Sequence, residues 1–247
     1  MPIEAVTFDF WNTICVEAEL KPSMRQRRFD RMTDLISSSG IDVDPAHVWA
    51  ALEAGHHFWN DAWERNEHLS GSDGGRHVLA RLQASVPEVA PIADALVASF
   101  APPDEFIDIP LAPGVAEAIA RLAERGIGLG IICDVGYTSS AVLKRSLDAV
   151  GLLDAFDVTV FSDDYGVYKP DPLLFEQART GLGRPDPTAM AHIGDRRRTD
   201  MAGAQQAGFR AIRYAGAFDD VDAAAGPSGD AVILHFDALL SSLPLSQ

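Results

Sequence analysis

Cysteine and positive charge are both scarce in this chain of 247 residues. The two cysteines, Cys15 and Cys133, are far apart, so neither a disulfide framework nor a cysteine-based zinc site is expected. A reducing, cytoplasmic compartment is the expectation that follows. The 20 Lys and Arg residues are outnumbered by 36 Asp and Glu, giving a net charge of −16. This balance disfavours nucleic acid and anionic membranes as partners, since both require clustered positive charge.

Long apolar runs are also missing. No stretch approaches the ~20 consecutive apolar residues that a membrane-spanning helix requires. The first residues lack the basic and apolar regions of a secretory leader, so none is expected. Apolar residues nevertheless make up 47% of the chain, which is enough to bury the core of one domain or of two. The sequence leaves open whether the protein is a monomer or a homodimer.

Apolar residues recur every three or four positions between residues 24 and 100, a spacing that predicts amphipathic helices. Four helices are predicted, over 24–39, 45–66, a segment capped by Ser72, and 87–100. Four arginines of the first helix, predicted to form a solvated face, are Arg25, Arg27, Arg28 and Arg31. Because no strand interrupts these helices, they are expected to form a bundle inserted at residues 15–105.

Residues 1–14 and 106–247 show a different pattern, in which short apolar strands alternate with helices. Predicted strands are the one before Asp9 and those at 127–133, 158–161, 189–193, 210–213 and 231–234. This alternation predicts an α/β fold with a Rossmann-like parallel sheet. Ligands bind such sheets at the carboxyl ends of the strands. The segment 219–229, rich in Asp, Ala and Gly, is predicted to be a surface loop without a chemical role.

Candidate chemical residues follow several of these strands. Asp9, Cys133, Asp134 and Asp195 stand at strand ends, and Lys169 lies in a loop after another strand. Carboxylates gathered at one sheet edge suit Mg²⁺, which prefers oxygen ligands. A lysine beside them would stabilise negative charge that develops during a reaction.

Three segments in this order, Asp9-Phe10-Trp11-Asn12-Thr13, Lys169-Pro170 and Gly194-Asp195 with Asp200, resemble the haloacid dehalogenase-like superfamily of aspartate-nucleophile hydrolases. The resemblance extends over nearly the whole chain and implies a Rossmann-like core with a helical cap. It also implies that Asp9 is the nucleophile and that Lys169 stabilises charge. By the same resemblance, Asp9, Asp195 and the main-chain carbonyl of Trp11 would bind Mg²⁺, with Asp200 as a supporting carboxylate.

The substrate side of the site departs from the family pattern. Where these enzymes carry a Ser or Thr at the end of the second strand, this chain has Cys133 followed by Asp134. A thiol is a weak hydrogen-bond donor. Cys133 and Asp134 are nevertheless the residues expected nearest the phosphate, together with Thr138. Arg196 is expected at the mouth of the site, where it would supply the positive charge that the chain as a whole lacks.

The largest departure is Trp11, which replaces the second aspartate of the superfamily's phosphatases. That aspartate protonates the leaving alcohol, whereas Trp has no acidic proton to transfer. The expected function is hydrolysis of a small phosphorylated metabolite, slow or limited to good leaving groups. A 2-haloacid dehalogenase is an alternative, because that branch has an aromatic residue here. Gly194-Asp195 argues against it, since the dehalogenases use no Mg²⁺ and have a Ser/Asn arrangement there. A weak relative that binds a phosphorylated ligand or a protein is the third hypothesis.

Overall fold

The computed structural model describes residues 1–184 and 186–245, which divide between two units. One unit contains Ala18–Ile107 and Val135–Leu143, and we call it the helical unit. The other contains Met1–Glu17, Asp108–Asp134 and the chain from Lys144 onward, and we call it the core. No helix within the described ranges is long and apolar enough to cross a membrane.

The helical unit is built on four α-helices in its described residues: Met24–Ser38 (α1), Pro45–Glu64 (α2), Gly71–Ser85 (α3) and Ala93–Phe100 (α4). Their apolar faces share one buried cluster that includes Ile36, Leu52, Val78, Leu82 and Phe100. The predicted fourth helix is divided, because residues Pro87–Ile92 form a 3-10 helix that contains Pro91. Proline cannot donate a backbone hydrogen bond inside an α-helix, so the α-helix begins only afterwards.

Two sequence predictions for these helices are wrong in detail. Ser70 rather than Ser72 caps α3, because Ser70 Oγ accepts from the Asp73 N–H and Asp73 accepts from the Ser70 N–H in return. The α1 arginines are not simply solvated. Arg31 Nε donates to the Ser99 carbonyl at 2.9 Å, and Arg28 Nε donates to the Phe100 carbonyl at 3.2 Å. These carbonyls end α4, where helical backbone acceptors lack partners.

The segment Val135–Leu143 belongs with the helical unit, although the sequence boundaries assign it to the core. Tyr137 packs in the apolar cluster of the helical unit, and its hydroxyl donates to the Gly55 carbonyl at 2.9 Å. The Tyr137 ring also meets Phe100 edge to face at 5.1 Å between centroids. An aromatic anchor of this kind has no periodic signature, so the sequence alone does not reveal its packing partners.

In the core, the described strands form one six-stranded parallel sheet in the order β3-β2-β1-β4-β5-β6. The strands are Ala5–Phe8 (β1), Gly128–Cys133 (β2), Val158–Phe161 (β3), Met190–Gly194 (β4), Arg210–Tyr214 (β5) and Ala231–Ile233 (β6). The α-helices are Val115–Ala123 (α5), Ser140–Ala149 (α6), Ser162–Tyr165 (α7), Pro172–Gly181 (α8), Ala202–Gln206 (α9) and Leu239–Ser242 (α10), of which α6 belongs to the core only from Lys144 onward. The predicted α/β fold is confirmed. All four residues of β1 are buried, as expected for a central strand covered on both faces.

Close packing of α9 on α8 generates the first prediction. A Cβ added at Gly203 would overlap the ring of Phe175, which is fully buried, and would lie 3.3 Å from Pro170 Cα. Overpacking of this kind costs about 1–3 kcal/mol, partly offset by the better helix propensity of alanine. We expect Gly203→Ala to lower the free energy of unfolding by about 1–2 kcal/mol in urea titrations.

Gly128→Ala is the matched control, since its Cβ would meet only ordinary contacts at 3.4 Å from Leu182 and 3.6 Å from Ala5. Equal stability of the two variants would contradict the packing argument.

Candidate active site

The strand order brings the ends of β1, β2 and β4 together. β1 lies between β2 and β4, and its successor Asp9 donates its N–H to the Ile193 carbonyl at 2.8 Å. Cys133 ends β2, while Gly194 ends β4 and is followed by Asp195. The connection after β1 runs to β2 on one side, and the connection after β4 runs to β5 on the other, which makes this a topological switch point. The crevice at such a point is where ligands of open α/β sheets bind.

The ammonium group of Lys169 occupies the centre of this edge and is almost fully buried, with 2% of the residue exposed. Its Nζ donates to Asp9 Oδ1 at 2.6 Å, to Asp200 Oδ1 at 2.5 Å and to the Ile132 carbonyl at 3.0 Å. These three acceptors use all three ammonium protons. Burial alone would lower the pKa of Lys169, but the carboxylates of Asp200 and Asp9 outweigh it and hold the pKa well above its ordinary value.

Asp134 fixes the backbone that carries Lys169. Asp134 Oδ1 accepts the Lys169 N–H at 2.9 Å, and the Cys133 thiol lies 3.4 Å from the Asp134 carbonyl oxygen. Burial raises the pKa of Cys133 well above its ordinary value, so the group is a neutral thiol. The structure therefore places both residues beside the site, where Asp134 holds the lysine loop.

Asp200 reaches the site through a short π-helix, Arg197–Met201, that begins the connection after β4. Asp200 Oδ2 accepts the Arg196 N–H at 2.9 Å, which ties the carboxylate to the turn that precedes it. Gly194 permits this approach, because an added Cβ would lie 2.6 Å from Asp200 Cβ. Burial alone would raise the pKa of Asp200, but the Lys169 ammonium and the hydrogen bond from His192 outweigh it and lower the pKa.

Asp195 is the least satisfied member of the cluster. It is 2% exposed, and its Oδ2 has no hydrogen-bond partner among the described residues. The nearest cation is Arg196, whose Nε lies 3.3 Å from that oxygen. Burial, together with the charges of Asp9 and Asp200, raises the pKa of Asp195 well above its ordinary value. Burial also raises the pKa of Asp9, to about 7, despite the opposing ammonium of Lys169.

These charges fit a divalent cation. Asp9, Asp195 and Asp200 offer carboxylate oxygens within 4.8 Å of one another, and all three residues are buried. One buried ammonium cannot balance three buried carboxylates, so either protons or a further cation must compensate. A divalent cation would bring the formal charge of the cluster to zero. Of the three, Asp195 has the oxygen with the strongest need for a ligand, whereas both oxygens of Asp200 already accept hydrogen bonds.

The loop after β5 corrects another expectation. The sequence predicts no chemical role for residues 219–229, yet Asp220 accepts from the Arg197 N–H at 2.9 Å, and its carbonyl accepts from Arg197 Nε at 2.6 Å. Phe218 lies beneath the Arg196 guanidinium, 4.1 Å from it. Because Arg196 and Arg197 lie within the Asp195–Asp200 turn, this loop supports the site from outside. Arg196, predicted to bind substrate, is thereby held next to Asp195.

Thr138, a predicted substrate-binding residue, lies in the helical unit, where its hydroxyl accepts from Arg28 Nη2 at 3.3 Å.

His192 is a residue of the site that the sequence analysis does not identify, although it directly precedes the Ile193-Gly194-Asp195 segment. It is fully buried and contacts Asp200 Oδ1 through Nε2 at 3.2 Å. Its position inside a strand was the available signal, since an ionisable side chain there requires a partner.

Comparison with known proteins agrees with this geometry. Residues 3–208 match the family of haloacid dehalogenase-like hydrolases. A glyceraldehyde 3-phosphate phosphatase of Methanopyrus kandleri is 27% identical over 225 residues, covering 89% of this chain and 88% of that protein. The haloacid dehalogenase-like hydrolase domain-containing protein 3 of Bos taurus is 29% identical, but the match covers 65% of this chain and 57% of that protein.

A solved structure of a 2-haloacid dehalogenase from Pseudomonas syringae pv. Tomato DC3000 is similar over 97% of both chains, with a TM-score of 0.65 and 25% identity. The sheet, the buried lysine–carboxylate cluster and the family match together define the class. This protein belongs to the haloacid dehalogenase-like hydrolases. Both phosphatases and dehalogenases occur among its relatives.

The pKa of Asp9 generates a prediction for the protein without metal. Its folded pKa of about 7 exceeds the ordinary value of 3.8, so the folded state binds more protons than the unfolded state between these values. Stability that depends on Asp9 is therefore present at low pH and is lost as pH rises toward 7, by at most about 1.4 kcal/mol per pH unit. Asp9→Asn removes this loss.

We expect Asp9→Asn to gain stability relative to the unsubstituted protein as pH rises from 5 to 7.5, measured by urea denaturation in EDTA. Taking the difference between the two proteins cancels the contributions of groups whose pKa does not depend on Asp9, such as His192. A difference that stays constant over this range would contradict the prediction.

Proposed function

We propose that this protein is a Mg²⁺-dependent phosphohydrolase that acts on a small phosphorylated metabolite through an aspartyl phosphate on Asp9. The observation that carries the proposal is the buried Lys169 ammonium between Asp9 and Asp200, beside the unsatisfied oxygen of Asp195. Such an arrangement keeps a carboxylate nucleophile next to fixed positive charge in a site with little water. The 27% identity to a glyceraldehyde 3-phosphate phosphatase supports the same substrate class.

We assign the metal to Asp9, Asp195 and the main-chain carbonyl of Trp11. The bound cation would neutralise phosphoryl oxygens and offset the repulsion between substrate and carboxylates. We assign Asp200 the separate task of holding Lys169, because its Oδ1 accepts from the Lys169 ammonium while its Oδ2 accepts from the Arg196 N–H. Asp200 thus supports the metal site without needing to be a direct ligand.

The proposed reaction consists of two successive displacements at phosphorus. In the first, a carboxylate oxygen of Asp9 forms a bond to phosphorus while the bond from phosphorus to the leaving oxygen breaks, and the leaving group departs with that electron pair. In the second, water forms a bond to phosphorus, the bond between phosphorus and Asp9 breaks, and inorganic phosphate leaves. Lys169 and Arg196 are assigned to the phosphoryl oxygens. Their charges would compensate for the net negative charge of the chain near the substrate.

Trp11 restricts which substrates react quickly. An alkoxide leaving group needs a proton, and general acid catalysis contributes roughly 10²–10⁴-fold to such a step. The indole of Trp11 is half-buried, with its ring 4.9 Å from that of Phe10, and cannot supply a proton. We therefore infer that acyl phosphates, aryl phosphates or anhydrides react faster than alkyl phosphates. Cys133 is assigned to the substrate side of the site, with Asp134 beside it, while the role expected of Thr138 stays a prediction.

A 2-haloacid dehalogenase is the second candidate, favoured by Trp11 and by the similar dehalogenase structure. In that reaction Asp9 would bond to the carbon bearing the halogen, halide would leave with the bonding electrons, and water would cleave the resulting ester. Halide needs no proton, which suits Trp11. The additional buried carboxylate of Asp195 is difficult to reconcile with this chemistry, because without a cation it would place a second buried negative charge near Asp9.

The first test measures phosphate release from acetyl phosphate and p-nitrophenyl phosphate, with Mg²⁺ or with EDTA. We expect turnover that requires Mg²⁺ and that falls by about 10³-fold or more in Asp9→Asn, because that variant lacks the nucleophile. Release of chloride from a chloroacid in EDTA, with no phosphate release, would instead identify a dehalogenase. Absence of both reactions in folded protein would favour a binding role.

A second test concerns the missing acid. We expect Trp11→Asp to raise turnover of an alkyl phosphate by about tenfold or more, because it introduces a carboxyl group that can protonate the leaving oxygen. Trp11→Asn is the matched control, since it has the same size without the acid. Acetyl phosphate turnover should respond much less. Equal alkyl phosphate rates in the Asp and Asn variants would contradict the assignment.

A further inference from the structure

A buried polar pair lies behind the site on the two central strands. Thr7 of β1 and His192 of β4 are register partners, and both are fully buried. Thr7 Oγ1 lies 2.9 Å from His192 Nδ1, and His192 Nε2 lies 3.2 Å from Asp200 Oδ1. The ring of Phe175 packs edge to face against the imidazole of His192, with 5.3 Å between the ring centroids and 79° between the ring planes. The imidazole therefore has a polar partner at each nitrogen.

The number of available protons selects one tautomer. A neutral imidazole carries one ring proton, and Thr7 has one hydroxyl proton, which can go either to Nδ1 or to the Ala191 carbonyl at 3.3 Å. If Nδ1 carried the ring proton, the lone pair on Nε2 would face the Asp200 carboxylate. If Thr7 donates to Nδ1, the ring proton is on Nε2 and is donated to Asp200. Only the second arrangement satisfies every buried atom of the pair.

We propose that Thr7 and His192 are positioning residues. Thr7 holds His192 in the Nε2–H tautomer, so that His192 donates a hydrogen bond to Asp200. This hydrogen bond orients the Asp200 carboxylate toward Lys169. This inference rests on the proposed function, because it concerns how the phosphohydrolase aligns Lys169 with Asp9. Neither residue touches the reacting atoms. Their effect passes through Asp200 Oδ1, which His192 and Lys169 share.

The geometry explains why Asp200 needs a donor on this side. A lone carboxylate beside Lys169 could rotate about its side-chain bonds and take the ammonium with it. Donors to both oxygens prevent this rotation: His192 Nε2–H and Lys169 hold Oδ1, while the Arg196 N–H holds Oδ2. Thr7 and His192 belong to the rigid central strands. Because they hold Asp200, which binds Lys169, they fix the position of the ammonium group relative to the sheet. Small displacements of a group that stabilises charge are costly in rate.

The first arm of the experiment reads the tautomer directly, without metal or substrate. We expect ¹⁵N–¹H correlation spectra of the full chain at pH 7.5 to show a pyridine-like Nδ1 and a pyrrole-like Nε2 for His192, assigned by its absence in His192→Gln. Thr7→Val, which removes the hydroxyl at nearly constant volume, should displace the Nδ1 resonance, whereas Thr7→Ser should retain it. An Nδ1–H tautomer, a doubly protonated ring, or equal spectra for the two Thr7 variants would overturn the proposal.

The second arm compares two amides at position 192. The amide nitrogen of glutamine can reach the place of Nε2 and donate to Asp200, whereas the shorter asparagine reaches only the place of Nδ1. With acetyl phosphate and Mg²⁺, we expect His192→Asn to lose about tenfold in kcat with KM little changed. His192→Gln should retain activity within about threefold of the unsubstituted protein. Equal losses in two folded variants would indicate a merely structural histidine and would overturn the proposal.

The two arms separate this inference from the function on which it rests. If the unsubstituted protein releases no phosphate, the proposed function fails, and the ring-nitrogen spectra alone decide whether Thr7 and His192 hold the predicted tautomer. If phosphate release is normal but the tautomer is wrong, only the positioning role fails.

Discussion

The candidate active site depends on the burial of one ammonium group, that of Lys169. Lys169 would lose several kcal/mol of hydration free energy at this depth if its protons had no acceptors. Asp9, Asp200 and the Ile132 carbonyl provide them, and each comes from a different part of the chain. Removing either carboxylate would leave one of the three ammonium protons without its acceptor. The positions of β1, β2 and the turn after β4 are therefore linked through a single nitrogen atom.

Further residues hold the groups that surround the Lys169 nitrogen. Asp134 holds the Lys169 backbone, and the π-helical turn holds Asp200, while Arg197 and Asp220 join that turn to the loop after β5. Behind Asp200, His192 and Thr7 belong to the central strands. Several of these contacts use backbone N–H groups, and Thr7 and His192 stand on β1 and β4, which restricts motion. An active site needs this rigidity, because charge stabilisation depends on groups that are already in place before the reaction.

The excess of negative charge at the site is as important as its rigidity. Burial and the neighbouring carboxylates raise the pKa values of Asp9 and Asp195, so the cluster favours protons or a divalent cation. This preference connects the physical chemistry of the cluster with the metal-dependent members of the family. In the proposed reaction, Trp11 would affect a different step, because it replaces a proton donor without removing the main-chain carbonyl at the same position. Binding of a cation and protonation of the leaving group would then depend on different atoms of this chain.

The sequence by itself determined the alternation of helices and strands, the inserted helices and the family. Periodic burial along each element is a local property, and the segments around Asp9, Lys169 and Asp195 keep their order along the chain. Tertiary structure decided which groups meet. The strand order set β1 between β2 and β4, and this alone put His192 beside Thr7 and Asp200. The same holds for Asp220 on Arg197 and for Tyr137 against Gly55, since no spacing rule predicts a contact between distant residues. Hydrogen bonds to a buried charge depend on three-dimensional proximity, which the chain acquires only when its strands are paired.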